Sequence, residues 1–134
     1  MPMRLLLRPW LTACLLAMGG LMWSLTAASQ SRSLECSEAL TQTRMNECAH
    51  EDYLREEQLL VKNTQHLMTQ LDASKQRSFK VVQRTWFRFR RQQCDFEASR
   101  YEGGSIAPMV YATCMADLTQ QRNKELKVIL NDNH

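Results

Sequence analysis

Two cysteines placed almost symmetrically about a glycine pair constrain the fold more than any other feature of this sequence. Cys94 lies nine residues before Gly103, and Cys114 lies ten residues after Gly104. The flanking segments carry apolar residues at helical spacing, so they predict two helices that reverse direction at the glycine pair. Because a helix rises equally per residue on both sides of the turn, the two cysteines reach the same height, where a disulfide can form.

The remainder of the chain also predicts helices. No segment alternates apolar and polar residues long enough for a strand, and β-branched residues are sparse. We expect Thr41, Ser74 and Ser105 to cap three helices, with Pro108 in the first turn of the third. The first two helices are expected over residues 41–71 and 75–101.

Helical spacing also selects the residues expected to face the core. In the first helix the apolar stripe is interrupted by Glu56 and Glu57. The stripes comprise Met45, Ala49, Tyr53, Leu60, Leu67 and Leu71 in the first helix, Phe79, Val82, Trp86, Phe89, Cys94 and Phe96 in the second, and Val110, Cys114, Leu118, Leu126 and Ile129 in the third.

The N-terminal segment has the three parts of a secretory signal peptide. Arg4 and Arg8 form a positive region, residues 11–23 carry no charge, and small residues precede an expected cleavage after Ala28. We therefore predict a signal peptide over 1–28 and one domain over 29–134. Two alternatives are an uncleaved anchor and a lipoprotein modified at Cys14, both weaker because the apolar pattern fits neither well.

Four cysteines remain after cleavage, which in a small exported chain predicts two disulfides. Three pairings are possible, and the helix layout selects Cys36–Cys48 and Cys94–Cys114. Each closes a short loop and is worth about 3 kcal/mol in the chain-entropy model. No Cys-x-x-Cys or cysteine–histidine spacing indicates a metal site. The prediction is an all-α, small antiparallel three-helix arrangement with two disulfides.

Charge is divided between the first two helices. Residues 35–57 contain seven acids and two bases, whereas residues 75–91 contain seven bases and no acid. We interpret most of these charges as solvated. Cleavage after Ala28 removes two arginines and no acid, which leaves 15 basic and 14 acidic residues. This balance argues against nucleic-acid binding.

No catalytic motif is present. The sequence lacks a phosphate-binding loop, a dinucleotide-binding glycine pattern and a nucleophile elbow. Glu47 and His50 have the Glu-x-x-His spacing of di-iron bundles, but that site needs a second copy. With every cysteine of the mature chain assigned to a disulfide, we predict no enzyme, no cofactor and no metal.

Several segments together resemble one family. They are TRMNECA at 43–49, QRTWFRFRRQQCDFEA at 83–98, YEGGSIAPM at 101–109 and CMADLTQQRNKEL at 114–126. The set is similar to the LprI-type lysozyme-inhibitor family of small exported bacterial proteins with four cysteines. Its most specific part is W-x3-R-x3-C followed by GGS and a further cysteine. The resemblance implies a protein that binds a lysozyme and catalyses no reaction.

The matching residues suggest two kinds of role. Trp86 and Arg90 share a helix face with Cys94, so we expect core packing for Trp86 and a structural ion pair or carbonyl contact for Arg90. The turn formed by Tyr101, Glu102, Gly103, Gly104 and Ser105 is the candidate partner-binding loop. A rigid exposed loop beside a disulfide lowers the ordering cost of binding.

We therefore predict a periplasmic or secreted binding protein whose loop 101–105 enters a lysozyme cleft. Its partner would be a lysozyme or another envelope protein, met by acids such as Glu51, Asp52, Glu56 or Glu102. Contact with a membrane would come only through the signal segment or a lipid on Cys14. The alternative is an envelope-binding module that holds an anionic ligand on the basic face of residues 75–91 and inhibits nothing.

Overall fold

The computed structural model of this chain describes residues 36–132, and the predicted signal peptide and Cys14 lie outside that range. Three long helices follow one another: α1 spans Gln42–Gln70, α2 spans Ala73–Ser99 and α3 spans Ala107–Asp132. No strand occurs within residues 36–132. The predicted all-α fold of three helices with two disulfides is confirmed.

The connections set the helix directions. A two-residue link, Leu71–Asp72, reverses the chain between α1 and α2, and residues 100–106 reverse it again before α3. Helices α1 and α3 are therefore parallel, and α2 is antiparallel to both. Both α1 and α2 pack chiefly against α3 and much less against each other. None of the helices in the described part of the chain is long and apolar enough to cross a membrane.

Two of the three helices begin after a polar side chain, and the sequence prediction is correct for one of the three caps. Thr41 caps α1 by accepting a hydrogen bond from the Arg44 amide at 3.2 Å, as predicted. The predicted cap of α2, Ser74, is wrong, because Asp72 Oδ1 accepts from the amides of Ser74 and Lys75, both at 2.9 Å. The predicted cap of α3 is also wrong, since α3 begins at Ala107 and Ile106 precedes it.

Replacing Asp72 with alanine is expected to destabilise the protein at neutral pH, because two amides of α2 lose their acceptor. The backbone N–H of Lys75, and then that of Ser74, hold the pKa of Asp72 below its usual 3.8. A lowered pKa gives stability that is present above the unfolded pKa and is lost as the pH falls through the folded one. Melting curves of wild type and Asp72→Ala should therefore differ at neutral pH and converge in acid.

Ser74→Ala provides the matched control, because Ser74 is exposed and its side chain forms no hydrogen bond within the described residues. It should melt with the wild type at every pH. A larger loss from Ser74→Ala than from Asp72→Ala would contradict this capping assignment.

The core consists of two apolar clusters along α3. The first joins Leu60 and Leu67 of α1 to Leu126 and Leu130 of α3, and Trp86 packs against it. The second surrounds the hairpin disulfide, and its members are Cys94, Cys114 and Met115, with Tyr53, Tyr111 and Leu118 packed on them. Both clusters draw on residues from distant parts of the chain, so they bring the three helices together.

The predicted apolar face of α2 is wrong for three of its residues. Val82, Phe89 and Phe96 are 51%, 51% and 66% exposed, whereas Gln83 and Arg90 are each 5% exposed. These buried polar side chains have partners on α1 and α3, which removes most of the cost of burying them. The helix is therefore rotated toward its polar residues. In α3, likewise, Leu130 is buried while the expected Ile129 is 39% exposed.

Both predicted disulfides are confirmed. Cys94 and Cys114 are bonded with their Cα atoms 5.5 Å apart, and both are buried. Cys36 and Cys48 form the second bond. The first disulfide joins α2 to α3 at one height, as the spacing about the glycine pair requires.

Candidate functional site

The hairpin tip, defined as residues 101–105, is exposed at all five positions. Successive tight turns fold it back on itself. The amide of Tyr101 donates to the carbonyl of Ala98, and the amide of Gly104 donates to the carbonyl of Tyr101, both at 2.9 Å. The amide of Ala107 then donates to the carbonyl of Gly104 at 3.2 Å. The backbone of the tip is thus held by its own hydrogen bonds while its side chains point away from the core.

The two glycines of the tip are needed for different reasons. Gly103 has φ +77°, in the left-handed region that residues with a side chain rarely adopt. Gly104 lies so close to the preceding turn that a Cβ atom there would be 3.1 Å from the carbonyl oxygen of Tyr101. The first glycine therefore reverses the chain, and the second permits the tight closure that follows.

The hairpin tip is also fixed to the rest of the molecule. The Cys94–Cys114 disulfide ties the two arms of the hairpin together below it. Asn46 of α1 donates from Nδ2 to the carbonyl of Ser105 at 3.1 Å. Gln42 in turn donates to Asn46 Oδ1 at 2.8 Å, which fixes the orientation of the Asn46 amide. The tip is thus joined to α1 by a hydrogen bond, and the two arms that carry it are joined by the disulfide.

Among the four candidate acids, only one lies at the tip. Asp52 pairs with Arg55, and Glu51 lies 3.8 Å from Arg44. Glu56 accepts a hydrogen bond from Asn123 Nδ2 at 2.9 Å. Glu102 is exposed and has no ion-pair partner within residues 36–132. Glu102 is therefore the acid that is available to a partner without breaking an internal contact.

Arg90 lies in the interior, at the centre of a polar contact that joins all three helices. Its Nη1 donates to Glu57 Oε2 of α1 at 2.6 Å and to Thr119 Oγ1 of α3 at 2.7 Å. Thr119 donates onward to the carbonyl of Met115 at 2.6 Å. A buried guanidinium requires such compensation, because an unpaired charge in the interior costs several kcal/mol.

Aromatic rings complete the surroundings of Arg90. Its guanidinium carbon lies 4.9 Å from the ring centre of Trp86, 5.1 Å from Phe87 and 5.5 Å from Tyr53. Ring faces attract a cation, which adds to the ion pair. Burial, and then the negative charge of Glu57, raise the pKa of Tyr53 above its usual 10.0, so its hydroxyl stays neutral near Glu57.

A second polar layer, centred on Gln83, lies further along the bundle than Arg90. Gln83 Oε1 accepts from Arg122 Nε and Nη2 of α3 at 2.9 and 2.7 Å. Gln83 Nε2 donates to Thr64 of α1 at 3.4 Å, so this layer also spans three helices. The fully buried Asn123 adds a third link by donating to the carbonyl of Glu56 at 3.0 Å. These contacts connect α1, α2 and α3 in the interior.

The sequence-predicted residues therefore fall into two separate places. The tip residues lie at one end of the hairpin, while the partly buried Trp86 and the buried Arg90 lie nine or more residues before the end of α2 at Ser99. Nine helical residues correspond to about 13 Å along the helix axis. Trp86 and Arg90 therefore do not contribute to the surface of the tip. Within residues 36–132 no group of three or more histidine, cysteine or acidic side chains is arranged to hold a metal ion.

Asn46, Glu57 and Thr119 were not identified from the sequence as contributing to these contacts. One signal was present, because the two glutamates that interrupt the apolar stripe of α1 both bond across the bundle. Asn46 lies in the TRMNECA segment, but nothing local distinguishes a side chain that reaches a carbonyl 59 residues away. Its role depends on tertiary structure alone.

Comparison with known proteins identifies a family for this chain. Residues 35–126 match the model of a family described as lysozyme inhibitor LprI, and these residues include the helical hairpin, its disulfide and the tip. The chain belongs to the LprI lysozyme-inhibitor family. An uncharacterized protein of Rhizobium meliloti (strain 1021) is 28% identical over 117 residues, which cover 78% of this chain and 84% of that protein. No solved structure shows significant similarity to this LprI chain.

Proposed function

We propose that this LprI-family protein inhibits a lysozyme by placing the hairpin tip in its substrate cleft. The observation that carries the proposal is a five-residue tip that is exposed at every position yet restrained by a disulfide and by Asn46. Family membership supports lysozyme as the partner. The mature chain would act in the periplasm or outside the cell, where the predicted signal peptide would deliver it.

Restraint of the tip matters because binding orders both partners. A flexible loop loses conformational freedom when it enters a cleft, and this loss is subtracted from the binding free energy. The hairpin tip is already ordered by its own turns, by the disulfide and by the contact with α1. A narrow Gly103–Gly104–Ser105 segment also allows the backbone to approach the cleft closely, since little side-chain volume stands in the way.

Charge determines where the flanking residues are placed. A lysozyme cleaves its substrate with a pair of carboxyl groups in the cleft. A carboxylate from the inhibitor would be repelled at that point, so Glu102 belongs at the rim, paired with basic residues of the lysozyme. Tyr101, which is 42% exposed, is placed to cover an apolar part of the sugar-binding surface. The inhibitor itself catalyses nothing and needs no cofactor in this mechanism.

Competition with an oligosaccharide tests occlusion of the cleft. Lysozymes of several types would be assayed on cell walls with increasing amounts of the purified, disulfide-intact protein. Binding of the protein to an inhibited lysozyme is expected to be displaced by an N-acetylglucosamine oligosaccharide, because both would occupy the same cleft. Binding that the oligosaccharide does not displace would place the contact outside the cleft. No inhibition of any lysozyme type would exclude the proposed function for this member of the family.

A further inference from the structure

An apolar groove runs between α1 and α2, away from the hairpin tip. It has a volume of about 310 Å³, and its walls include Thr64 and Met68 of α1 and Phe79 and Phe87 of α2. The groove lies where α1 and α2 pack chiefly on α3 and much less on each other. Its volume is at the lower end of the range of about 300–1,000 Å³ for small-molecule sites.

The polar groups in the floor of the groove are already engaged. Gln83 accepts two hydrogen bonds from Arg122 and donates one to Thr64. These contacts use both acceptor positions of the Gln83 amide oxygen and one of the two N–H donors of its amide nitrogen. An occupant of the groove therefore gains mainly from burying apolar surface against Met68, Phe79 and Phe87.

Positive charge lies at the edge of the groove. Lys80 and Arg84 are exposed lining residues, and neither has a carboxylate within ion-pair distance among residues 36–132. Between positions 58 and 94 the chain contains a single acid, Asp72, which caps α2. On α3, Glu125 is paired with Arg122 at 2.8 Å. The potential at the groove is therefore positive, and a second copy of this basic helix would be repelled.

We infer that the groove binds a free single-chain amphiphile, with its apolar chain along Met68, Phe79 and Phe87 and its anionic head between Lys80 and Arg84. The apolar walls favour an alkyl chain. Lys80 and Arg84, which have no carboxylate within ion-pair distance among residues 36–132, favour an anionic head group. This site is independent of lysozyme inhibition, since none of its lining residues belongs to the hairpin tip.

Dodecanoate below its micellar concentration is a suitable probe. Trp86 is the only tryptophan after residue 28, and its ring centre lies 5.3 Å from that of Phe87, so its fluorescence reports on the groove. We expect dodecanoate to saturate the signal at one molecule per chain. Hexanoate, with the same head and half the chain, should bind at least about a hundredfold more weakly, because less apolar surface is buried. Dodecyltrimethylammonium should give no saturable signal.

Two double variants separate the groove from the general charge of the helix. Lys80→Glu/Arg84→Glu should weaken dodecanoate binding by at least about tenfold. Arg77→Glu/Arg88→Glu makes the same change in net charge on the same helix outside the groove, and should stay within about twofold of the wild type. Both should keep full lysozyme inhibition and a wild-type circular dichroism spectrum.

Several results would overturn the inference. Equal losses in the two double variants would show that only the overall charge of α2 matters. Equal binding of dodecanoate and dodecyltrimethylammonium would remove the role of the cations. Binding to anionic lipid vesicles without binding of monomeric dodecanoate would point to a membrane-surface contact and not to the groove. By contrast, a loss of dodecanoate binding in Lys80→Glu/Arg84→Glu, with lysozyme inhibition intact, is the result that assigns the site to the groove.

Discussion

Glu57→Ala is expected to lower the free energy of unfolding by about 3 kcal/mol, the low end of the range for breaking a buried ion pair. The side chain of Arg90 is 7% exposed and that of Glu57 is 29% exposed, so the substitution leaves the deeper charge without its counter-charge. Thr119 and the three aromatic rings remain, but they cannot neutralise a cation. Urea denaturation followed by circular dichroism measures the loss.

An exposed ion pair provides the matched control. Asp52 and Arg55 are three residues apart on α1, and their side chains are 54% and 67% exposed. Asp52→Ala should therefore cost less than about 1 kcal/mol. The double variant Glu57→Leu/Arg90→Met should recover much of the loss, because it removes both charges and leaves an apolar contact. A loss from Glu57→Ala no larger than that from Asp52→Ala would contradict a structural role for the buried pair.

The number of helices and both disulfides followed from local features of the sequence. Glycines at 103 and 104 determine where the second hairpin turns, and equal helical rise on both sides determines that Cys94 meets Cys114. Thr41 was a correct helix cap because a cap contacts an amide only three residues away. Such features depend on neighbouring residues, so a sequence alone can supply them.

The rotation of α2 could not be predicted in the same way. Apolar spacing favoured Val82, Phe89 and Phe96, yet the helix buries Gln83 and Arg90 instead. Helical spacing places Arg90 on the face of Cys94, with an expected ion pair or carbonyl contact, whereas Gln83 is not expected in the interior. Their partners are Thr64 and Glu57 on α1 and Arg122 and Thr119 on α3, far away in sequence. Apolar periodicity counts a polar residue as exposed, so it fails where polar residues satisfy one another inside a bundle.

The candidate site was predictable in part. The glycine pair and the adjacent cysteines indicated an exposed, constrained turn, and the structure describes such a turn at 101–105. The bond from Asn46 to Ser105 was not predictable, because it depends on α1 lying parallel to α3. Gly103 has the positive φ, and a Cβ atom at Gly104 would lie 3.1 Å from the carbonyl oxygen of Tyr101. Because a side chain would be strained at either glycine, Ser105 is the better position for a test of the tip.

Ser105→Arg is expected to weaken lysozyme inhibition by at least about a hundredfold, as for a residue at the centre of an interface. Ser105 is exposed and its side chain forms no hydrogen bond within residues 36–132, so the free protein tolerates the arginine. In the complex the same arginine would add a large side chain where the tip fits the cleft closely, so the loss is expected from its volume. The backbone carbonyl that Asn46 holds is unchanged by the substitution.

The inhibition constant of Ser105→Arg, measured beside that of Ser78→Arg, tests the central claim most directly. Ser78 is an exposed serine of α2 that lies about 30 Å along the helix from Ser99, so the same substitution there leaves the tip untouched. Circular dichroism spectra must match the wild type for both variants. Occlusion by the hairpin tip predicts that Ser105→Arg loses inhibition while Ser78→Arg keeps it. A folded Ser105→Arg variant that inhibits as strongly as the wild type would show that residues 101–105 are only a turn.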